Sequence, residues 1–241
     1  MPITASSVPG TVEPAVQALA SELLRALDDQ EGHAGGDHLD RFVDAWDDRS
    51  RGLAAVRVLG ADVLTPSALR GAPAGGADEA VVRAAVRAYP APAGHSRGAT
   101  LWNVRDAALA RVLVAAGTDV TAWEGLASPR SPGWLPDGQW LPLAADLSRL
   151  ACAAHPWADA ALRERVAARR RDVARGLARA LLRRDLLGAA GLARWLALDR
   201  AGDDEPMVEA ALGQLEIVGT GDPRVLLQCG IAHRLMTRAP A

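Results

Sequence analysis

The chain has 241 residues, 49% hydrophobic and 23% charged, with a formal net charge of -2. That is enough chain for one substantial core or two small ones, and it is too apolar for a disordered protein. The near-neutral balance lacks the basic excess of a nucleic-acid binder, no run of about eighteen apolar residues is present to cross a membrane, and two cysteines exclude a disulfide scaffold. Residues 1–10 show neither a basic nor an apolar leader region, so they read as a loose tail without a signal peptide, ahead of a single domain over 11–241 in the cytoplasm.

The predicted elements are helical throughout. Val12, Val16, Leu19, Leu23 and Leu27 form a stripe at steps of three and four. The polar, glycine-rich stretch 28–37 ends it. Asp37 is positioned to cap a second helix through Trp46, with Leu39, Phe42, Val43 and Trp46 on one face, continuing toward Leu59. Thr65-Pro66 opens a further turn, and a helix is expected from Asp78 to Tyr89. The stretch 90–99, PAPAGHSRGA, is the clearest linker and the natural place for a boundary between lobes. A helix over 100–116 ends at Gly117. Residues 123–140, rich in Pro, Gly and Trp, read as a long ordered loop. Helices follow over 141–154, 156–183, 185–201, from 203 to near Gly219, and from Gly221-Asp222-Pro223 to Thr237. Eight or nine helices without a strand period predict an all-α fold, its αα-hairpins curled into a bundle or a partial α/α barrel.

The composition narrows the chemistry. Alanine is about a fifth of the chain, as suits helices. All 27 basic residues are arginine, so Schiff bases, lysine general bases and a P-loop lysine are excluded. A GC-rich coding bias of the actinobacterial kind explains the missing lysine. Tryptophan does the aromatic work: there are seven, beside Tyr89 and Phe42 alone.

Four constellations could carry function. The stretch from Asp28 to Asp48 is acidic and holds His33 and His38; on a helix, Asp37, Asp40, Asp44 and Asp47 or Asp48 share a face. Stacked carboxylates repel unless a metal, an arginine or a cationic substrate lies among them, so Asp40, Asp44 and His38 are the candidate acid–base residues. A solvated acidic face is the plainer alternative. Cys152/His155 and Cys229/His233 stand at helical steps, fitting a tetrahedral zinc site, a thiolate with its base, or small apolar residues on core faces. The loop tryptophans Trp123, Trp134 and Trp140, with Arg130, suit either a lid over a pocket or a plug at one end of the bundle. Trp102 and Arg105 lie on one helix, where Arg105 could clamp an oxyanion. The arginine-rich stretch 163–183 could instead dock an acidic partner.

The run LARALLRRDLLGAAGLARWLALDRAGDDEPMVEAALGQLEIVG at 177–219, followed by DPRVLLQCGIAHRLM, resembles the closing αα-hairpins of actinobacterial all-helical proteins from natural-product gene clusters. One similar class is the two-subunit enzyme that closes an aziridine ring by sulfate elimination on an amino acid held by an acidic carrier protein. The resemblance implies a subunit of specialised metabolism, with a second subunit or a carrier protein as partner. Together with the residues it predicts a cofactor-independent elimination or cyclisation on a small substrate bearing an amine and an anionic group. Arg105, Arg130, Trp102, Trp123, Trp134 and Trp140 are the candidate binding residues, and no metal or other cofactor is required. A noncatalytic helical interaction module is the alternative.

Overall fold

The computed structural model describes residues 9–29, 37–121, 123–126, 138–199 and 205–237. They form α1 (Pro9–Asp28), α2 (His38–Asp44), α3 (Arg49–Leu59), a 3₁₀ turn (Gly60–Leu64), α4 (Thr65–Leu69), α5 (Gly76–Ala88) and α6 (Arg97–Ala115). Then come α7 (Trp140–Arg149), a second 3₁₀ turn (Ala151–Ala153), α8 (Ala160–Ala168), α9 (Arg170–Leu182), α10 (Leu186–Leu198), α11 (Glu205–Val218) and α12 (Pro223–Thr237). No strand occurs among the described residues. The expected tail lies outside them, save Pro9 and Gly10, which open α1.

There are more helices than the eight or nine expected, because two long apolar patterns are each divided, the first of them by a side-chain cap. The run expected from Asp37 toward Leu59 breaks after Asp44. There Asp48 accepts the amide of Ser50 at 2.9 Å and its hydroxyl at 2.6 Å, which starts α3 afresh. The helix expected over 156–183 begins only at Ala160, where Asp159 accepts the Leu162 amide, and breaks again at Arg169. Asp37 makes no side-chain cap. The cap of α2 comes from a distance: Asp78, on α5, accepts the Leu39 amide at 2.8 Å. Sequence spacing cannot show such a tertiary cap.

The core is one contiguous cluster running from Ala15 to Met236. Its axis is α10, which packs on α7, α9, α11 and α12. From Gly188 to Ala197 every residue of α10 is buried, as expected of a helix apolar on all sides. The first and last helices, α1 and α12, pack on each other, and α1 also lies on α3. Residues 49–69 reach a mean hydropathy of 1.3 over an eighteen-residue window, enough by length and composition to cross a membrane, yet 78% of that window is buried inside this fold. It contains Arg57 and Asp62, both buried. The run serves as a core element here.

Candidate functional site

Where α3 gives way to its 3₁₀ turn, Gly60 adopts a left-handed φ of 62°. The chain turns there under the side of α6: a Cβ at Gly60 would lie 3.3 Å from Arg105 Nη2 and 3.4 Å from Cys152 Sγ. This junction forms one side of a cleft of about 660 Å³, a size suited to a small organic ligand. Val58, Leu59 and Asp62 contribute from the α3 end, and Leu101, Trp102 and Arg105 from α6. Arg149 and Cys152 come from the α7 end, Asp185 and Leu187 from the start of α10, and Arg224 and Gln228 from α12.

Arg105 is partly a strut. Its Nη2 donates to the Val58 carbonyl at 2.5 Å and its Nη1 to the Arg149 carbonyl at 3.1 Å. These carbonyls close α3 and α7, so the guanidinium caps two helix C-termini at once, where positive charge is favoured. No carboxylate pairs with Arg105 among the described residues. Its guanidinium carbon also lies 5.5 Å from the Trp102 ring, which the buried Arg57 approaches at 4.6 Å. Arg149 is exposed and has no ion-pair partner among the described residues, and Arg224 reaches Glu13 only at 3.4 Å. The cationic wall is therefore only lightly neutralised.

Three buried side chains meet beneath the cleft. Arg194 Nη1 donates to Asp62 Oδ1 at 2.6 Å and to Gln228 Oε1 at 2.9 Å, and Gln228 Nε2 donates to Asp62 Oδ2 at 2.7 Å. Arg194 Nε donates to the Ala154 carbonyl at 2.8 Å. Arg194 is wholly buried, and its Nη2 has no hydrogen-bond partner among the described residues. Beside this network burial pushes the Cys152 thiol pKa up, which keeps it protonated.

The sequence candidates divide accordingly. Trp102 and Arg105 stand together on the cleft. Asp40, Asp44 and His38 belong to α2, which packs on α3 and α5, and none of them lines it. His38 Nδ1 lies 2.7 Å from Asp78, Asp44 pairs with Arg49 at the surface, and Asp40 is half-buried. The expected acidic stripe ends with α2, since Asp48 caps α3. Trp123 is buried in the core, with the Arg83 guanidinium carbon 4.7 Å from its ring centroid. Trp140 starts α7 and does not line the cleft. Arg130 and Trp134 lie outside the described residues.

No three His, Cys, Asp or Glu side chains converge to hold a metal among the described residues, so Cys152/His155 and Cys229/His233 do not assemble a zinc site. Cys229 is buried on α12, its thiol pKa pushed up to about 12 by burial and then by Glu216, while His233 pairs with Glu216 at 3.0 Å. Part of the arginine-rich face is already engaged. Arg169 and Arg175 pair with Asp172, and Arg170 donates to the carbonyls of Leu196 and Asp199 at the end of α10.

Sequence reasoning missed Asp62, Arg194 and Gln228. A signal existed: Arg194 is the one charge in LLGAAGLARWLAL, and Asp62 the one charge in LGADVL. A lone charge in an apolar helix marks a buried partnership. Comparison of the chain with known families, curated proteins and solved structures finds no match.

Proposed function

We propose that the protein is a helical enzyme, or a subunit of one, from specialised metabolism, and that its cleft binds a small polar substrate through an anionic group. The observation that carries this reading is the charge on the cleft wall. Arg105, Arg149 and Arg224 line the cleft together with Asp62 and Asp185, and Asp62 is already matched by Arg194. The excess is positive, and it stands among apolar side chains, where an anion is held more strongly than in open water.

A cofactor-independent elimination or cyclisation needs a clamp for the anionic leaving group or carboxylate and one base. The arginines supply the clamp. Asp185 is the base candidate within the cleft. It caps α10 by accepting the Gly188 amide at 3.0 Å and has no ion pair among the described residues. It replaces Asp40, Asp44 and His38 in that role, because those three stand away from the cleft. The exposed Arg149 is where a second subunit or an acidic carrier protein would present a tethered substrate.

The test is calorimetric binding of sulfate, phosphate and short carboxylates at low ionic strength. The expected result is saturable binding that weakens as salt rises and falls at least fivefold in Arg149→Gln. Absence of saturable binding, or binding indifferent to Arg149→Gln and Arg224→Gln, overturns the reading.

A further inference from the structure

We infer that the floor of the cleft, Asp62 and Gln228 backed by Arg194, is a subsite that reads a hydroxyl group, which makes the substrate class hydroxylated small organic acids. This rests on the cleft being a small-anion site.

A buried ion pair is no better for stability than well-packed apolar residues. Here it recruits three distant segments, with Arg194 132 residues from Asp62 and 34 from Gln228. Two of its three members reach the cleft wall while remaining almost wholly buried, Asp62 at 1% and Gln228 at 6% exposure. Their internal bonds leave capacity unused. Gln228 Nε2 gives Asp62 one of its two hydrogens. Each Asp62 oxygen receives a single bond from this network and keeps room for another. Arg194 Nη2 is an orphaned donor next to the same pair.

The floor thus offers a spare donor beside a spare acceptor. A hydroxyl both donates and accepts, so it matches Asp62 and Gln228 together. An ammonium matches less well, because Arg194 already cancels the Asp62 charge. The polar floor also works against the apolar walls: Leu59, Leu101 and Leu187 by themselves favour the deoxy form of any acid. The sign of the preference is therefore informative.

The experiment is calorimetry on the full chain with two pairs of acids, gluconate against hexanoate and 3-hydroxybutyrate against butyrate. The hydroxylated member is expected to bind at least tenfold tighter, since a site with buried polar groups discriminates against a ligand that leaves them unpaired. In Gln228→Met the preference is expected to fall within about twofold. If melting shows that this variant does not fold, Gln228→Leu is the second variant, since it removes the donor without placing a second carboxylate beside Asp62. Equal or tighter binding of the deoxy acids overturns the floor subsite and leaves the anion cleft standing. A preference that survives both variants also overturns it, because the hydroxyl is then read elsewhere. Failure of all four acids to bind, with sulfate and phosphate failing too, overturns the cleft itself.

Discussion

Arg57 and Asp106, 49 residues apart, meet through both terminal guanidinium nitrogens, Nη1 to Oδ1 at 2.5 Å and Nη2 to Oδ2 at 3.0 Å, with 3% and 0% of their side chains exposed. The pair ties α3 to α6 beneath Trp102, and Arg57 Nε also donates to the Tyr89 carbonyl at 2.8 Å. Removing one partner leaves an uncompensated buried charge. Asp106→Ala is expected to cost about 3–5 kcal/mol, read by urea denaturation. The double variant Arg57→Met/Asp106→Leu should lose less than the single one, because no bare charge remains. A double variant as unstable as the single would show that the pair acts through geometry and not through charge compensation.

Gly176 sets how closely α9 approaches α7. A Cβ there would stand 2.4 Å from the Ala144 Cβ and 3.3 Å from Leu192 Cδ1. Two effects compete in Gly176→Ala. Helix propensity favours alanine by about 1 kcal/mol, whereas overpacking costs about 1–3 kcal/mol. The neighbouring group is a short side chain on a packed helix and cannot swing aside, so the clash wins. A net loss of up to about 2 kcal/mol is expected, and thermal melting decides the sign. A more stable variant would mean that α7 and α9 can separate without cost.

His155 gives the fold a pH dependence of calculable sign. Burial, and then the nearby Arg194, lower its pKa from 6.5 to about 3, with Arg111 and Arg163 acting the same way. The unfolded chain takes up the proton below 6.5, and the folded chain only near 3. The stabilisation is therefore complete above pH 6.5 and is lost as pH falls toward 3, by about 1.4 kcal/mol per unit inside that window. Urea denaturation of wild type and His155→Leu between pH 7 and 5 isolates this part. The wild type should lose more stability than the variant, and parallel pH profiles would refute the assignment.

Much of the fold was legible in the residues because helices are local. The stripe in α1, the Pro-led turn at Thr65, the stop at Gly117 and the start at Pro223 each depend on neighbours within a few positions, and each is found close to where the pattern places it. The proximity of Trp102 and Arg105 was legible too, since they share one helix, whereas their place on the cleft wall came from packing. What only the tertiary structure decided are the partnerships between distant residues. Asp78 caps α2 across 39 positions, Asp62 finds Arg194 across 132, and Gln228 reaches Asp62 across 166. Periodicity shows which side of a helix turns inward, but it carries no information on which inward charge will meet which. That choice follows from how the tertiary structure brings the 3₁₀ turn at Gly60–Leu64 to α10 and α12, and it moves the candidate site from the acidic stretch at 28–48 to the cleft above Asp62 and Gln228.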